Sequence, residues 1–210
     1  MQNEKKSAII NSRKVIGMIH RLSKKLADFL AGKKVISPAE TDIYVYGYET
    51  IISGFVDFCI VLGIGLIFKQ MLTMLIFFAM FISVRLYTGG YHANTFIGCK
   101  IVFTSICLSM VYLSELPFSL VLSVLISILF IITGIFLAPV ENYNKPLTKD
   151  EQMKYHKISI VISILWVAVA LFSYFFAIKI CRIITLTAMF ITLLMVIGEY
   201  RKEGNNDEKQ

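Results

Sequence analysis

Charge is scarce in this chain. Of its 210 residues 17% are charged and 57% hydrophobic, where an ordinary soluble domain has about 25% and about 45–50%. With a mean hydropathy of +0.72, a soluble globule is excluded. Cysteine is sparse as well: Cys59, Cys99, Cys107 and Cys181 form no CxxC pair, so a disulfide framework is not expected, and three of them sit in apolar segments where an inert thiol is the default. His20, His92 and His156 are the only histidines, and no HExxH pattern occurs. A zinc site has little to build on and no metal or cofactor is expected. No internal repeat is visible. Residues 1–43 hold no long apolar run, so no cleavable signal peptide is read there and nothing argues for export.

What is present is a set of long apolar blocks with the charges gathered between them, the pattern expected when lipid is the solvent. Six segments are read, at 48–68, 71–84, 101–116, 118–138, 158–178 and 183–198. The expected fold is all-α and polytopic: a basic amphipathic segment at 1–43, a transmembrane domain at 44–198 carrying the 85–100 loop, and a disordered tail at 199–210. A bilayer core of about 30 Å needs roughly 20 helical residues. The first, fourth and fifth segments suffice. The second and third are short: residues 71–84 reach only about 21 Å, so this pair is tilted, extended by its flanks, or re-entrant.

If all six cross with the N-terminus inside, eighteen Lys and Arg lie on the cytoplasmic side and three, Lys69, Lys179 and Arg182, on the outer side. That asymmetry sets the orientation. Both termini, the 85–100 loop and the 139–157 loop are expected on the cytoplasmic side of the membrane. Val15, Met18, Ile19, Leu22, Leu26 and Phe29 recur at helical spacing, with Lys14, Arg21, Lys24 and Lys25 opposite. This predicts an in-plane helix against anionic headgroups, with Gly32 placed to end it; a helix packed on the transmembrane body and a dock for a partner peptide are the other readings. The lipid bilayer is thus an expected partner. Nucleic acid is not.

Between the second and third segments runs Arg85-Leu86-Tyr87-Thr88-Gly89-Gly90-Tyr91-His92-Ala93-Asn94-Thr95-Phe96-Ile97-Gly98-Cys99-Lys100. A histidine can take the proton of a thiol, and the thiolate is the nucleophile of cysteine acyl-transfer enzymes. His92 and Cys99 are the only such pair nearby. The cations of Arg85 and Lys100 favour the thiolate, and Gly89 and Gly90 let the backbone turn or approach a substrate chain closely. On a continuous helix a seven-residue separation returns to the same face about 10.5 Å further along, too far for a hydrogen bond. A working pair needs a non-helical stretch, for which Gly98 is the candidate. The bland reading is an interfacial histidine and a buried cysteine.

The run Arg85-x-Tyr87-x-Gly89-Gly90-x-His92 followed by Cys99 resembles the signature of the accessory gene regulator protein B family, membrane endopeptidases of Gram-positive peptide quorum sensing. A second stretch, Ala138-Pro139-Val140-Glu141-Asn142 continuing to Asn144-Lys145-Pro146-Leu147, is similar to that family's loop after the fourth apolar segment. The resemblance implies that His92 is the general base and Cys99 the nucleophile, and that the substrate is a small precursor peptide cut near its C-terminus. An acyl-enzyme thioester would be resolved by a cysteine or serine of the precursor into a thiolactone or lactone. It also implies a homodimer.

Other residues carry weaker expectations. Arg85 is read as a partner for acidic residues of the precursor or for a carboxylate of the protein, or as an interfacial anchor. Glu49 and Asp57 lie in the first apolar segment, where ionisable groups are costly and function is the default hypothesis. Glu49 is read as a site member or an interfacial group; Asp57 as the residue that orients His92, or as the partner of a basic residue. Lys145 is the choice for contact with acidic substrate residues, against a plain topology charge. Two further classes compete with the enzyme: a transporter or exporter built around broken second and third segments, and a membrane scaffold without catalysis.

Overall fold

The computed structural model describes residues 19–37, 40–91, 96–140 and 148–207. His92, Lys145, Val15, Met18 and Lys14 lie outside the described residues, as does the second motif from Glu141 to Leu147. Among the described residues the chain is helical, and six helices are long and apolar enough to cross a membrane. The protein is a multi-pass, all-α membrane protein.

The helices are α1 (19–32), α2 (Thr41–Ile67), α3 (Met71–Thr88), α4 (Phe96–Leu113), α5 (Leu120–Leu137), α6 (Lys149–Phe176) and α7 (Ile178–Asp207). The short second and third segments are resolved by extension. Each continues through its polar flank to 18 residues, about 27 Å, which matches the hydrocarbon core. Both are continuous helices, so the broken pair that a midplane transporter site calls for is not formed. At the other end, α7 continues to Asp207, through residues read as a disordered tail. A helix already held by packing extends at little cost through helix formers such as Glu199, Arg201, Lys202 and Glu203.

The helix ends have local causes. Gly32 is the last helical residue of α1, but the left-handed residue is Lys34 at φ 58°. Lys34 N–H donates to Ala31 and Val35 N–H to Leu30, a Schellman close with lysine in the position glycine usually takes. The α2–α3 corner repeats it: Lys69 has φ 55°, with Lys69 N–H on Leu66 and Gln70 N–H on Gly65. Ser119 caps α5 by accepting from Leu122 N–H at 3.2 Å. Thr148 and Glu151 form a reciprocal capping box at the start of α6.

The chain forms two compact units, residues 1–60 with 93–103 and residues 61–92 with 104–210. In the second unit α7 packs on α3, α5 and α6. Ile184, Ala188, Ile191 and Met195 form one stripe of α7, meeting Met80 and Val84 of α3, Phe130 of α5 and Ala170 of α6. The 4-3-4 spacing is that of a single helix face. Small polar residues lie buried on these helices, Ser123 and Ser127 on α5 and Ser159, Ser163 and Ser173 on α6. Side chains of this size let helix axes approach closely where lipid gives no hydrophobic drive for association. Ser159 and Ser173 return their hydroxyls to the carbonyls of His156 and Ala170, so no buried donor is wasted there. The outward faces carry exposed Leu125, Leu129, Phe136, Leu165 and Phe172, as a lipid-facing surface requires.

In the first unit α1 turns Leu22, Leu26 and Phe29 outward while Ser23 and Ala27 are fully buried. The apolar stripe is therefore not the face that packs inward. His20 Nδ1 lies 2.8 Å from Glu49 Oε1, tying α1 to the start of α2.

Candidate functional site

The site residues fall in both units. In the second, α3 ends with a clamp. The Arg85 guanidinium reaches past the helix end and donates from Nη1 to the carbonyl of Gly89 and from Nη2 to the carbonyl of Tyr91. The planar fork of arginine suits two acceptors at once, where a lysine ammonium offers one point charge. Gly89 N–H still reaches back to Arg85 O at 3.1 Å. One side chain thus holds two residues of the turn, Gly89 and Tyr91.

Two glycines make that turn geometrically available. Gly89 has φ 65° and Gly90 φ 118°, left-handed values that L residues rarely adopt. Space is also excluded: a Cβ on Gly89 would stand 2.1 Å from the carbonyl oxygen of Val140, and one on Gly90 2.0 Å from Nη1 of Arg85. The close approach that both glycines make here is to the protein's own chain.

Val140 belongs to the turn after α5. Its N–H donates to Thr88 O at 2.8 Å, forming an isolated parallel bridge with Gly89. The preceding Ala138–Pro139 peptide is cis, and His156 Nδ1 lies 2.7 Å from Ala138 O. The two sequence motifs, some fifty residues apart, are thus hydrogen-bonded to each other. Tyr91 N–H in turn donates to Leu194 O of α7 at 2.8 Å. The chain is fixed by three partners, Arg85, Val140 and Leu194, up to the residue before His92.

In the first unit Cys99 lies in the first described turn of α4, half-buried, while Cys107 and Cys181 are buried and Cys59 on α2 is exposed. Gly98 is inside α4, so it is not the bend that the spacing of the pair demands. The helix described for this motif ends at Thr88 and the next begins at Phe96. The interruption lies between them because Gly89 and Gly90 leave the α region, whereas Gly98 follows the helix it sits in.

Lys100, next to Cys99 in the chain, has partners of its own. Nζ is 2.6 Å from Asp57 Oδ1, 2.8 Å from Ser53 Oγ and 2.9 Å from Ser53 O, and 5.0 Å from the centre of the Phe96 ring. Asp57 takes the second of its two expected roles, partner of a base. Its carboxylate compensates the ammonium, so Lys100 offers less net charge to a thiolate than the sequence suggests. Glu49 pairs with His20 near the N-terminal end of α2.

Sequence reasoning missed Thr88, His156, Leu194 and Gly198. The first three act through backbone atoms or on them, which leaves no trace in residue type. Gly198 did leave a signal: an isolated glycine costs about 1 kcal/mol in a helix relative to alanine, and a Cβ there would stand 2.6 Å from Tyr91 N and 2.7 Å from Gly90 C.

Six membrane-length helices among the described residues, one of them closed by a clamped glycine turn, define a polytopic membrane protein. Residues 23–196 match the family described as Accessory gene regulator B. The chain belongs to that family, which ties it to the accessory gene regulator system. Two proteins of Clostridium perfringens named as AgrB-like are similar to it, each aligning over 147 residues that make up 65% of this chain and 68% of the relative. The one from strain 13 (Type A) is 29% identical and the one from strain SM101 (Type A) 27%. No solved structure matches the chain.

Proposed function

We propose that this protein is a membrane-embedded cysteine endopeptidase that removes the C-terminal tail of a small quorum-sensing precursor peptide and promotes closure of a thiolactone or lactone. One observation carries the reading in a chain of this family: the residues of the signature, Arg85, Gly89 and Gly90, build a turn fixed up to the position before His92. A loop that merely connected two spans would have no need of such an arrangement.

In this mechanism His92 takes the Cys99 proton as sulfur attacks the scissile carbonyl. The C–N bond breaks, the imidazolium returns the proton to the departing amine, and the N-terminal part of the precursor remains as a thioester on Cys99. A thiol or hydroxyl within the precursor then attacks the thioester carbonyl, giving its proton to His92. Cys99 leaves and is reprotonated. Exchange of one thioester for another is nearly isoenergetic, and exclusion of water by the surrounding helices protects the intermediate from hydrolysis.

The site faces the cytoplasm, where the positive-inside asymmetry puts the basic loops, and Lys145 meets acidic residues of the precursor tail. The exposed Leu22, Leu26 and Phe29 of α1 suit a helix lying in the inner leaflet interface. The active form is a homodimer. Co-expression with the precursor tests the activity: a shortened peptide in the wild type and none with Cys99→Ala is expected, and equal shortening in both contradicts it.

A further inference from the structure

In a regular α-helix each carbonyl takes the N–H four residues on, and side chains lean toward the N-terminus, so a residue's Cβ covers the turn before its own Cα. Residue 198 therefore screens the carbonyl of residue 194. In α7 residue 198 is glycine, and the carbonyl of Leu194 is open to a second donor, Tyr91 N–H at 2.8 Å. The backbone of Gly90 and Tyr91 lies in the vacated space: a Cβ on Gly198 would stand 2.6 Å from Tyr91 N, 2.7 Å from Gly90 C and 3.0 Å from Gly90 Cα. All of these atoms are backbone and cannot swing aside. The flanking carbonyls of Gly89 and Tyr91 are held by the Arg85 guanidinium, so this stretch is tethered as well as seated.

We infer that Gly198 and the Leu194 carbonyl of α7 form a seat for the 90–91 backbone, making Gly198 a positioning residue for His92. This rests on the dyad reading given above. The seat lies on the helix that also carries the stripe Ile184, Ala188, Ile191 and Met195, so the base is referred to the most deeply buried of the spans. A methyl group at 198 pushes Tyr91 off the carbonyl and moves His92 with it. A displacement of about 1 Å is enough to lower turnover by about a hundredfold.

The test uses full-length protein in nanodiscs with Cys59, Cys107 and Cys181 replaced by alanine. The pH profile of Cys99 alkylation by iodoacetamide and the kcat and KM for precursor cleavage are measured in this background and with His92→Ala, Gly198→Ala and Gly134→Ala. Gly134 is a helical glycine of α5 with nothing within 4 Å of an added Cβ. Gly198→Ala is expected to reproduce the alkylation profile of His92→Ala and to lose kcat with KM nearly unchanged, while Gly134→Ala matches the parent. A parent-like profile and kcat in Gly198→Ala overturn the inference while leaving the dyad standing. Coincident profiles of the parent and His92→Ala instead overturn the dyad. Hydrogen exchange at the Tyr91 amide of unmodified protein adds a measurement that needs no variant: protection is expected, and exchange at the rate of an open loop removes the seat.

Discussion

The ammonium of Lys100 on α4 sits 2.6 Å from the carboxylate of Asp57 on α2, with both side chains largely withdrawn from the surface. Two charges inside membrane-length helices are tolerable only together, because either alone is a desolvated ion. The pair explains why α4 begins at Phe96, before the apolar run that starts at residue 101: the charge that ends the run is neutralised within the fold.

Removing one partner should therefore cost more than removing both. Asp57→Asn or Lys100→Met is expected to destabilise by about 3–5 kcal/mol, and the double variant to recover most of that loss. Thermal unfolding in detergent followed by intrinsic fluorescence measures it. Additive losses in the double variant would show that the two residues act separately.

Cys99 should be the only essential cysteine. Cys107 and Cys181 are buried and Cys59 is exposed on α2, and none belongs to the Arg85–Lys100 segment. Alanine at all three positions is expected to leave precursor cleavage within about threefold of the parent, since small surface and core changes in a packed helix shift stability more than chemistry. A normally folded Cys107→Ala protein that no longer cleaves would make Cys107 the nucleophile instead.

Gly89→Ala combines a left-handed φ of 65° with a Cβ 2.1 Å from the Val140 carbonyl. The conformational strain alone is about 1–2 kcal/mol, and the clash adds to it by separating the two motifs. Cleavage is expected to fall by about a hundredfold with the helical content kept, as circular dichroism together with a peptide-processing assay would reveal. Normal processing in this variant would mean that the bridge to Val140 has no part in the site.

Orientation has its own test. A single cysteine at Asn94 in an otherwise cysteine-free protein should resist a membrane-impermeant maleimide added to intact cells and react once the membrane is opened. Labelling from outside would reverse the topology.

How much of this was readable beforehand depends on where the determining partner lies. Hydropathy located all six spans because apolar run length is a local property. It ended the second too early and started the third too late, since Arg85 and Lys100 read as boundaries to a local average. In the fold Arg85 turns onto the carbonyls of Gly89 and Tyr91 and Lys100 onto Asp57, so neither charge stops its helix. The glycine pair announced a turn, and the turn is there. Its anchors at Val140 and Leu194 lie far along the chain and act through backbone atoms, which no spacing rule reveals. Gly98 misled because a glycine in a sequence signals freedom, whereas only its neighbours decide whether that freedom is used.

The central claim is that Cys99 carries the acyl group, and a stalled intermediate tests it most directly. A precursor whose ring-forming cysteine or serine is changed to alanine can be cut but cannot close. With His92 intact, its tail should be released while an adduct of precursor and enzyme accumulates, visible by intact mass spectrometry, removable by hydroxylamine and absent in Cys99→Ala. Cys99→Ser should be nearly inactive, because an unassisted histidine activates a hydroxyl poorly. Rapid tail release with no adduct at any time, the linear product forming by direct hydrolysis, would contradict the account and assign the attack to an activated water.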